Sequence, residues 1–184
     1  NSGEFSEVVF DFTPVDQALQ GYFWQIPMQM DGKPYENRGV YDSRLFSSKK
    51  RAVLPDILDA SFKALGDELD QNSIEGHPIH LFTPRSKFSS NRILLVGDAA
   101  GVDPLLGEGI GPALGYGWVA ARVIQQAVKQ NEFSFRNYRL KLFFSPVGRT
   151  LLLRYAIAKL LYRFSHHRWF TRFFWRAASI LDGI

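Results

Sequence analysis

Residues 92–118 read Arg-Ile-Leu-Leu-Val-Gly-Asp-Ala-Ala-Gly-Val-Asp-Pro-Leu-Leu-Gly-Glu-Gly-Ile-Gly-Pro-Ala-Leu-Gly-Tyr-Gly-Trp, and this stretch decides the fold. The apolar run 93–96 predicts a short buried β-strand, which Gly97 ends. A loop rich in Gly and Pro follows, and Pro112 stands where the first turn of a helix tolerates proline. The pattern therefore predicts a strand, a loop and a helix that runs to about Lys129.

The order of residues in this unit suggests a binding site. Asp98 comes at the carboxyl end of the strand, where ligands collect in open α/β sheets. The start of the following helix offers unpaired N–H groups and a partial positive charge. Glycines at 107, 109 and 111 allow a flat ligand to approach the backbone. A ligand that carries both a polyol and a ring able to become anionic, such as reduced flavin, fits this pattern.

The stretch resembles the second flavin motif of FAD-dependent oxidoreductases, and within that superfamily it looks most like geranylgeranyl reductases. The matching residues are Gly97-Asp98-Ala99-Ala100-Gly101, Asp103-Pro104-Leu105, Gly107-Glu108-Gly109-Ile110 and Ala113-Leu114. The resemblance implies that Asp98 holds the ribityl chain of FAD. It also implies that the helix start faces the N1/O2 side of the isoalloxazine ring. The implied cofactor-binding residues are Gly97, Asp98, Gly109, Ile110 and Gly111.

Two other interpretations of the motif stay open. Aromatic hydroxylases share its outline but have His where this chain has Gly101, so a flavin monooxygenase or halogenase is the alternative within the superfamily. A structural strand–loop–helix unit whose glycines serve packing is the second alternative, because a motif match is a hypothesis.

The first flavin motif of this superfamily, a strand followed by Gly-x-Gly-x-x-Gly and a helix, has no counterpart here in the expected place. The nearest match, Gly115-Tyr-Gly117, falls inside the predicted helix without a preceding strand. We therefore expect the chain to be the C-terminal portion of a larger flavoprotein. Gly107, Gly111 and Gly115 recur every four residues, which favours close packing along that helix.

An aromatic pattern near the start of the chain resembles a second element of geranylgeranyl reductases. Tyr22, Trp24 and Pro27 match a Tyr-x-Trp-x-Phe-Pro pattern that lines the substrate cavity in that family, with Ile26 in place of Phe. Alternating aromatics on a strand also fit an ordinary core. The ranges 7–13, 21–27 and 38–46 predict three antiparallel strands, with a tight turn at Asp31-Gly32.

The rest of the chain divides into simple elements. We predict a helix over 54–69, a strand over 74–82, a turn at 83–85, a short helix over 133–144 begun by Ser134, and a linker at Pro146 and Gly148. The expected domains are 1–83, with the substrate-domain sheet and helix, 84–130, with the C-terminal part of the FAD-binding domain, and 131–184, a basic and aromatic helical tail.

The composition limits the chemistry. The chain has 184 residues, a net charge of +4, 46% hydrophobic and 15% aromatic residues, and no cysteine. Disulfides, thiolate metal sites and cysteine nucleophiles are thereby excluded. The four histidines show no metal-binding spacing, so no metal site is predicted. The catalytic residues stay unknown; Tyr41 and His80 are candidate proton donors by residue type alone.

Residues 149–176 carry seven basic side chains and no acidic one. Basic residues beside aromatics on an amphipathic helix are typical of a segment lying in a membrane interface. An ordinary C-terminal helix pair with arginines facing outward is the alternative, and no nucleic-acid fold pattern accompanies the charge. The basic residues are Arg149, Arg154, Lys159, Arg163, Arg168, Arg172 and Arg176.

The sequence therefore predicts an α/β fold. It would contain part of an FAD/NAD(P)-binding domain like that of glutathione reductase, an antiparallel β substrate-domain segment and C-terminal helices. By the resemblance, the parent protein reduces C=C bonds of an apolar prenyl or lipid-like substrate with FAD, recharged by NAD(P)H or another external donor. We expect a cytoplasmic protein, peripheral at the inner membrane face. A membrane-surface binding module without a working flavin site is the rival from another class.

Overall fold

The computed structural model describes residues 7–47, 50–165, 167, 169–171 and 174, which fall into two compact units. The first unit draws on residues 1–76 and 161–184, and the second on residues 77–160. The architecture is mixed α/β with antiparallel sheets, as the sequence predicts. We describe each unit by itself.

The first unit is built on three antiparallel strands in the order β1-β2-β3. These are β1 (Val9–Asp11), β2 (Gly21–Met30) and β3 (Lys33–Asp42). Asp31 and Gly32 join β2 to β3 with φ angles of 52° and 72°. Positive φ at both positions is the geometry of a two-residue hairpin turn. The predicted turn is confirmed, but both strands run further towards it than the predicted bounds.

Helix α1 (Leu54–Ala64) follows the sheet and is shorter than predicted. Gly66 has φ +80°, and its N–H donates to the carbonyl of Lys63 while the N–H of Asp67 donates to that of Phe62. This pair of hydrogen bonds is a Schellman motif, which a glycine just after the helix favours. The predicted end at residue 69 was wrong because Gly66 ends the helix.

The predicted strand over 74–82 is not formed. Residues 75–80 are exposed, and pairing is limited to a parallel bridge between Leu81 and Val102. Pro78 has no N–H to donate to a ladder. The predicted strand over 93–96 is also shorter: β4 (Ser89–Ser90) and β5 (Ile93–Leu94) form a two-stranded hairpin. Ile93 is 55% exposed, so the prediction of a buried strand was wrong for this hairpin.

Helix α2 (Ile110–Gln130) is the longest element of the second unit. It ends at Asn131, whose φ of 51° is left-handed, as the break in the sequence pattern predicted. Along this helix a β-carbon on Gly115 would lie 2.6 Å from Cβ of Val147. The close packing expected of the glycine stripe is thus confirmed at Gly115.

Two helices follow with bounds that the sequence pattern missed. Helix α3 (Tyr138–Phe144) is the second half of the predicted one, because Phe135 has φ 52° and leaves the helical region. Ser134 does not cap it, since the N-cap position is Asn137. The predicted linker is instead the start of helix α4 (Pro146–Phe164). Ser145 Oγ accepts the Gly148 N–H at 3.2 Å, so Ser145 caps α4 and Pro146 opens it.

The core of the second unit joins the hairpin, α2, α3 and α4. Its largest fully buried side chains are Phe82, Phe88, Tyr116, Tyr138, Leu142 and Leu151. Tyr116 Oη donates to the carbonyl of Gly101 at 3.0 Å, and Tyr138 Oη donates to that of Leu95 at 3.1 Å. Burial raises the pKa of Tyr138 to about 12, so the phenol stays protonated and able to donate.

Gly101 allows the chain to approach itself at the Leu81–Val102 bridge. Its φ is +108°, and a β-carbon there would lie 2.5 Å from the backbone nitrogen of Phe82 and 2.7 Å from the carbonyl carbon of Leu81. An alanine would be both strained and in collision with main-chain atoms that cannot swing away.

We predict that Gly101→Ala lowers the free energy of unfolding by at least about 2 kcal/mol, from strain and overpacking together. Urea unfolding followed by circular dichroism measures this. Gly117→Ala, on helix α2, is the matched control, because a β-carbon at this position would have no neighbouring atom within 4 Å. It should leave stability unchanged or raise it by up to about 1 kcal/mol. Equal effects of the two substitutions would contradict the role of Gly101.

Candidate functional site

The short turn after β5 delivers the Asp98 side chain. Val96 is extended with φ −138° and ψ 164°, and Gly97 then takes φ +55° to open a 3-10 turn over Gly97–Ala99. A left-handed residue at this point costs least when it is glycine. The turn leaves the Asp98 carboxylate exposed to solvent. Among the described residues, no group donates a hydrogen bond to this carboxylate.

Asp98 lies directly beside the start of helix α2. A β-carbon on Gly109, the N-cap residue, would be 3.0 Å from Asp98 Oδ1 and 3.3 Å from Cγ1 of Val102. Glycine therefore gives the carboxylate and the helix N-terminus their close contact. The sequence placed Asp98, Gly97, Gly109, Ile110 and Gly111 in one site, and the structure brings these five residues together.

The helix start is open, and one of its N–H groups has a side-chain acceptor. Glu108 Oε1 accepts a hydrogen bond from the Gly111 N–H at 2.8 Å. A β-carbon on Gly111 would lie 2.5 Å from the same oxygen, so Gly111 makes room for this cap. Ile110 and Leu114 are 79% and 73% exposed. The N-terminus of α2 thus has the Glu108 carboxylate beside the exposed apolar side chains of Ile110 and Leu114.

A buried carboxylate organises the loop between Asp98 and the helix. Asp103 has no exposed surface; its Oδ1 accepts the Leu105 N–H at 2.9 Å, and its Oδ2 accepts Arg154 Nη1 at 2.6 Å. The same Arg154 nitrogen lies 3.4 Å from Oε2 of Glu108. Asp103 and Glu108 are also joined by a backbone hydrogen bond of 2.9 Å. Arg154 therefore connects helix α4 with the loop and with the cap of α2.

The sequence analysis did not identify the structural role of Asp103, Glu108 and Arg154 in holding the loop. It recorded Asp103 and Glu108 as parts of a motif and assigned Arg154 to a membrane-facing set. The signal for Asp103 was its position before Pro104 and Leu105, where an Asp side chain commonly binds the backbone two residues on. The partner of Asp103 lies 51 residues away, so no local pattern indicates it.

The backbone conformation at Gly101 can be compared with the His that the monooxygenase alternative expects at this position. Its positive φ and its contacts with the backbone of Leu81 and Phe82 leave no room for a side chain. The His that the aromatic hydroxylases have at this position is incompatible with this geometry. The monooxygenase alternative therefore receives no support from this loop.

The predicted substrate-cavity residues lie on β2 in the first unit. Tyr22 is 6% exposed and packs against Phe10, Phe12 and Tyr41, with ring centroids 5.1 to 5.5 Å apart. Trp24 crosses Gly39, where a β-carbon would lie 2.2 Å from the indole ring. Its Nε1 donates to Oδ1 of Asn37 at 2.7 Å.

Strand alternation separates Pro27 from the other two. Tyr22 and Trp24 are two residues apart and share a face of β2, whereas Pro27, an odd number of residues further on, takes the opposite face. The register of β2 on β3 is continuous from Gly21 to Met30, so no bulge changes this alternation. Of the two candidate proton donors, Tyr41 is buried and His80 is exposed.

The basic tail is described in part. Arg149, Arg154, Lys159 and Arg163 lie on α4, and Arg154 is committed to Asp103. Arg168, Arg172 and Arg176, on which the interfacial helix was predicted, lie outside the described residues. No helix in the described part of the chain is long and apolar enough to cross a membrane.

The arrangement in the second unit suits a ligand with a hydroxyl chain and an electron-rich ring. An exposed carboxylate accepts hydrogen bonds from hydroxyls, and the helix start stabilises negative charge. The Cβ-free contact at Gly109 and the open apolar surface of Ile110 and Leu114 fit a flat ring. The residues present therefore fit the ribityl and pyrimidine side of a flavin.

We predict that Arg154→Met lowers the free energy of unfolding by roughly 2–3 kcal/mol, because it leaves the buried Asp103 carboxylate without its counter-charge. Arg154 is partly exposed, which keeps the loss below that of a fully buried pair. The double variant Asp103→Asn with Arg154→Met should lose less, since a neutral amide needs no counter-charge. Thermal and urea unfolding measure both effects.

The control for this series is Arg149→Met, on the exposed surface of the same helix. It should change stability by no more than about 0.5 kcal/mol. A similar loss in the Arg149 and Arg154 variants would show that the ion pair with Asp103 is not what matters.

Comparison with known proteins gives partial relatives. The chain is similar to digeranylgeranylglycerophospholipid reductase 3 of Methanosphaera stadtmanae, with 32% identity over 122 residues, 64% of this chain and 29% of that protein. It is also similar to an uncharacterized protein of Methanosarcina barkeri, with 31% identity over 163 residues, 88% of this chain and 39% of that protein.

The chain thus spans well under half the length of these relatives. No family model matches it, and no solved structure matches it significantly. The first of these similarities supports a relationship to geranylgeranyl reductases and, at most, a reductase-like function.

Proposed function

We propose that this chain is part of an FAD-dependent oxidoreductase that reduces C=C bonds of a prenyl or similar lipid. The observation that carries the proposal is the contact between the Asp98 carboxylate and the N-terminus of α2 at Gly109. The partial relative whose name is a digeranylgeranylglycerophospholipid reductase supports the reaction type and the lipid-like substrate.

Each residue of the site has a distinct part in this proposal. Asp98 accepts hydrogen bonds from ribityl hydroxyls, and Gly97 gives the turn its left-handed residue. The start of α2 offers the N–H groups of Gly109 and Ile110 to negative charge on the pyrimidine side of the ring, because the Gly111 N–H already donates to Glu108. Glu108 and Arg154 set the charge around the Gly111 N–H. One oxygen of the Glu108 carboxylate accepts from Gly111, and the other accepts from Arg154.

When bound, the flavin supplies the hydride for the reduction, and an external donor such as NAD(P)H recharges it. An apolar substrate also needs a site, for which we propose the face of β2 that carries Trp24 beside the buried Tyr22. Pro27 lies on the opposite face of the strand and is not part of this surface. The ring contacts of Tyr22 with Phe10, Phe12 and Tyr41 hold its ring in place, and the hydrogen bond from Trp24 to Asn37 orients the indole. Rigid aromatic surfaces bind apolar chains at low entropic cost.

Titration of the 184-residue chain with FAD tests the cofactor. The wild-type chain should retain yellow flavin absorbance after desalting. Asp98→Ala should weaken binding at least about tenfold, because hydrogen bonds to a charged group contribute about 1.5–3 kcal/mol. Asp56→Ala, an exposed carboxylate on α1, is the control and should bind like wild type. A colourless wild-type chain favours the membrane-surface binding module for this part of the protein, and equal affinities of the two variants contradict the proposed part of Asp98.

The reaction type is checked on the same flavin-loaded chain. After anaerobic reduction with dithionite, geranylgeraniol should restore the yellow absorbance, whereas its fully saturated analogue should not. Reoxidation by oxygen coupled to a hydroxylated product would instead support a monooxygenase.

We also propose that the basic tail holds the protein at the cytoplasmic face of an anionic membrane. The support is the run of seven basic and no acidic side chains in 149–176, of which Arg154 is engaged within the fold. Each basic residue near an anionic surface contributes about 1 kcal/mol.

Co-sedimentation with phosphatidylglycerol vesicles tests this proposal. Replacing Arg168, Arg172 and Arg176 by Glu should abolish binding, because three attractions become repulsions. The matched control replaces Lys33, Lys50 and Lys129, which lie outside the tail, by Glu and should bind more strongly than the tail variant. Equal binding of the wild-type chain and the tail variant would contradict the proposal.

A further inference from the structure

A cleft of about 740 Å³ lies in the second unit, between the segment that leads into the β4–β5 hairpin and the segment before α3. Its lining brings together four basic side chains and one acidic side chain, with serine hydroxyls between them. The charged residues are Arg85, Lys87, Arg136, Arg139 and Glu132. The flavin site described above contains none of these residues.

Hydrogen bonds fix the two walls of the cleft to each other. The Arg92 N–H donates to the carbonyl of Phe133 at 2.9 Å, and Ser89 Oγ donates to that of Phe135 at 3.1 Å. The Arg92 guanidinium also lies 5.2 Å from the centre of the Phe133 ring. Behind the walls, Phe88 is 1% exposed and belongs to the core. The cleft is therefore preformed, as small-molecule sites usually are.

The positive charge in the cleft is not neutralised within the part of the chain that the structure describes. None of the four basic side chains forms a salt bridge among those residues. Arg139 donates to the carbonyl of Pro84 and lies over the Phe143 ring at 5.2 Å, which orients it without removing its charge. Glu132 is the one acidic group, so the lining carries a net charge of +3.

Glu132 is itself turned towards the backbone. Its Oε1 accepts the Ser134 N–H at 2.8 Å, and this hydrogen bond holds the pKa of Glu132 below its usual value, with Arg136 adding to the effect. The carboxylate thus orders the wall from which Arg136 projects and leaves the other cations uncompensated. The four basic side chains are exposed, so water and salt screen their mutual repulsion, and they remain available to pair directly with an anion.

We propose that this cleft binds a phosphate-bearing molecule, either a phosphate ester or a diphosphate. Arginine forks match phosphate oxygens in two parallel hydrogen bonds, and serine hydroxyls add further donors. A net charge of +3 suits a multiply charged anion better than a single carboxylate. The volume exceeds that of inorganic phosphate and lies within the range for small-molecule sites, so an organic part accompanies the phosphate.

Calorimetric titration of the 184-residue chain with pyrophosphate, at constant ionic strength in chloride, tests the proposal. The wild-type chain should bind, and Arg136→Gln and Arg85→Gln should each weaken binding at least about tenfold, the effect of losing one charge-assisted contact. Arg149→Gln is the matched control, an exposed arginine of the same unit outside the cleft, and should stay within about twofold of wild type. Thermal unfolding confirms that each variant is folded.

A second arm separates a lipid headgroup from a free phosphate. Vesicles with phosphatidic acid are compared with phosphatidylglycerol vesicles of equal charge, so that the tail contributes equally to both. Extra retention by phosphatidic acid that Arg136→Gln abolishes assigns the cleft to a lipid phosphate. Equal retention, with pyrophosphate still bound, assigns it to a soluble phosphate. Absence of both bindings, or equal losses in the Arg149 and Arg136 variants, overturns the proposal.

Discussion

The ion pair between Arg154 and the buried carboxylate of Asp103 is the interaction on which the second unit depends. A carboxylate with no exposed surface is costly unless hydrogen bonds and a counter-charge compensate it, and here Leu105 and Arg154 supply both. In return, Asp103 fixes the loop that leads from Asp98 to helix α2. The shape of the candidate flavin site therefore depends on a residue of helix α4 that does not belong to the motif.

The glycines of this loop and helix serve different physical purposes. Gly101 allows main chain to contact main chain, Gly109 admits the Asp98 carboxylate, Gly111 admits the cap from Glu108, and Gly115 admits Val147. The motif for which we propose flavin binding thus also contains glycines that serve packing. A ligand-binding role and a packing role for the glycines are compatible, because the same close contacts shape the candidate site and pack the loop against the helices.

Charge is distributed in a way that composition conceals. The sequence places seven basic residues in the tail, yet Arg154 turns inward to Asp103, while Arg85, Lys87, Arg136 and Arg139 converge on a cleft elsewhere. Residues as far apart in the chain as Arg85 and Arg139 form this cleft, and the hydrogen bonds of Ser89 and Arg92 bring them together. A basic patch in the fold therefore need not follow from a basic run in the sequence.

The sequence by itself determined the features that depend on local chemistry. Some features follow from residues close together in the chain. They are the turn at Asp31-Gly32 with the β2–β3 hairpin that it joins, the end of α2 at Asn131, and the grouping of Asp98 with Gly109. The end of α1 at Gly66 and the cap at Ser145 were equally local, and their signals were overlooked. Positive φ and helix caps act within a few residues, so sequence patterns can indicate them.

Only the tertiary structure decided the features that depend on distant partners. The range 74–82 has an apolar pattern but lacks a neighbouring strand. The carbonyl of Phe133 accepts the Arg92 N–H of the hairpin turn instead of a helical partner, and Asp103 finds its counter-charge on α4. A strand needs a partner, and a buried charge needs a counter-charge, and neither requirement is visible in a local window. The physical reason is that burial and pairing are properties of the folded chain, whereas capping and turn geometry belong to the residues themselves.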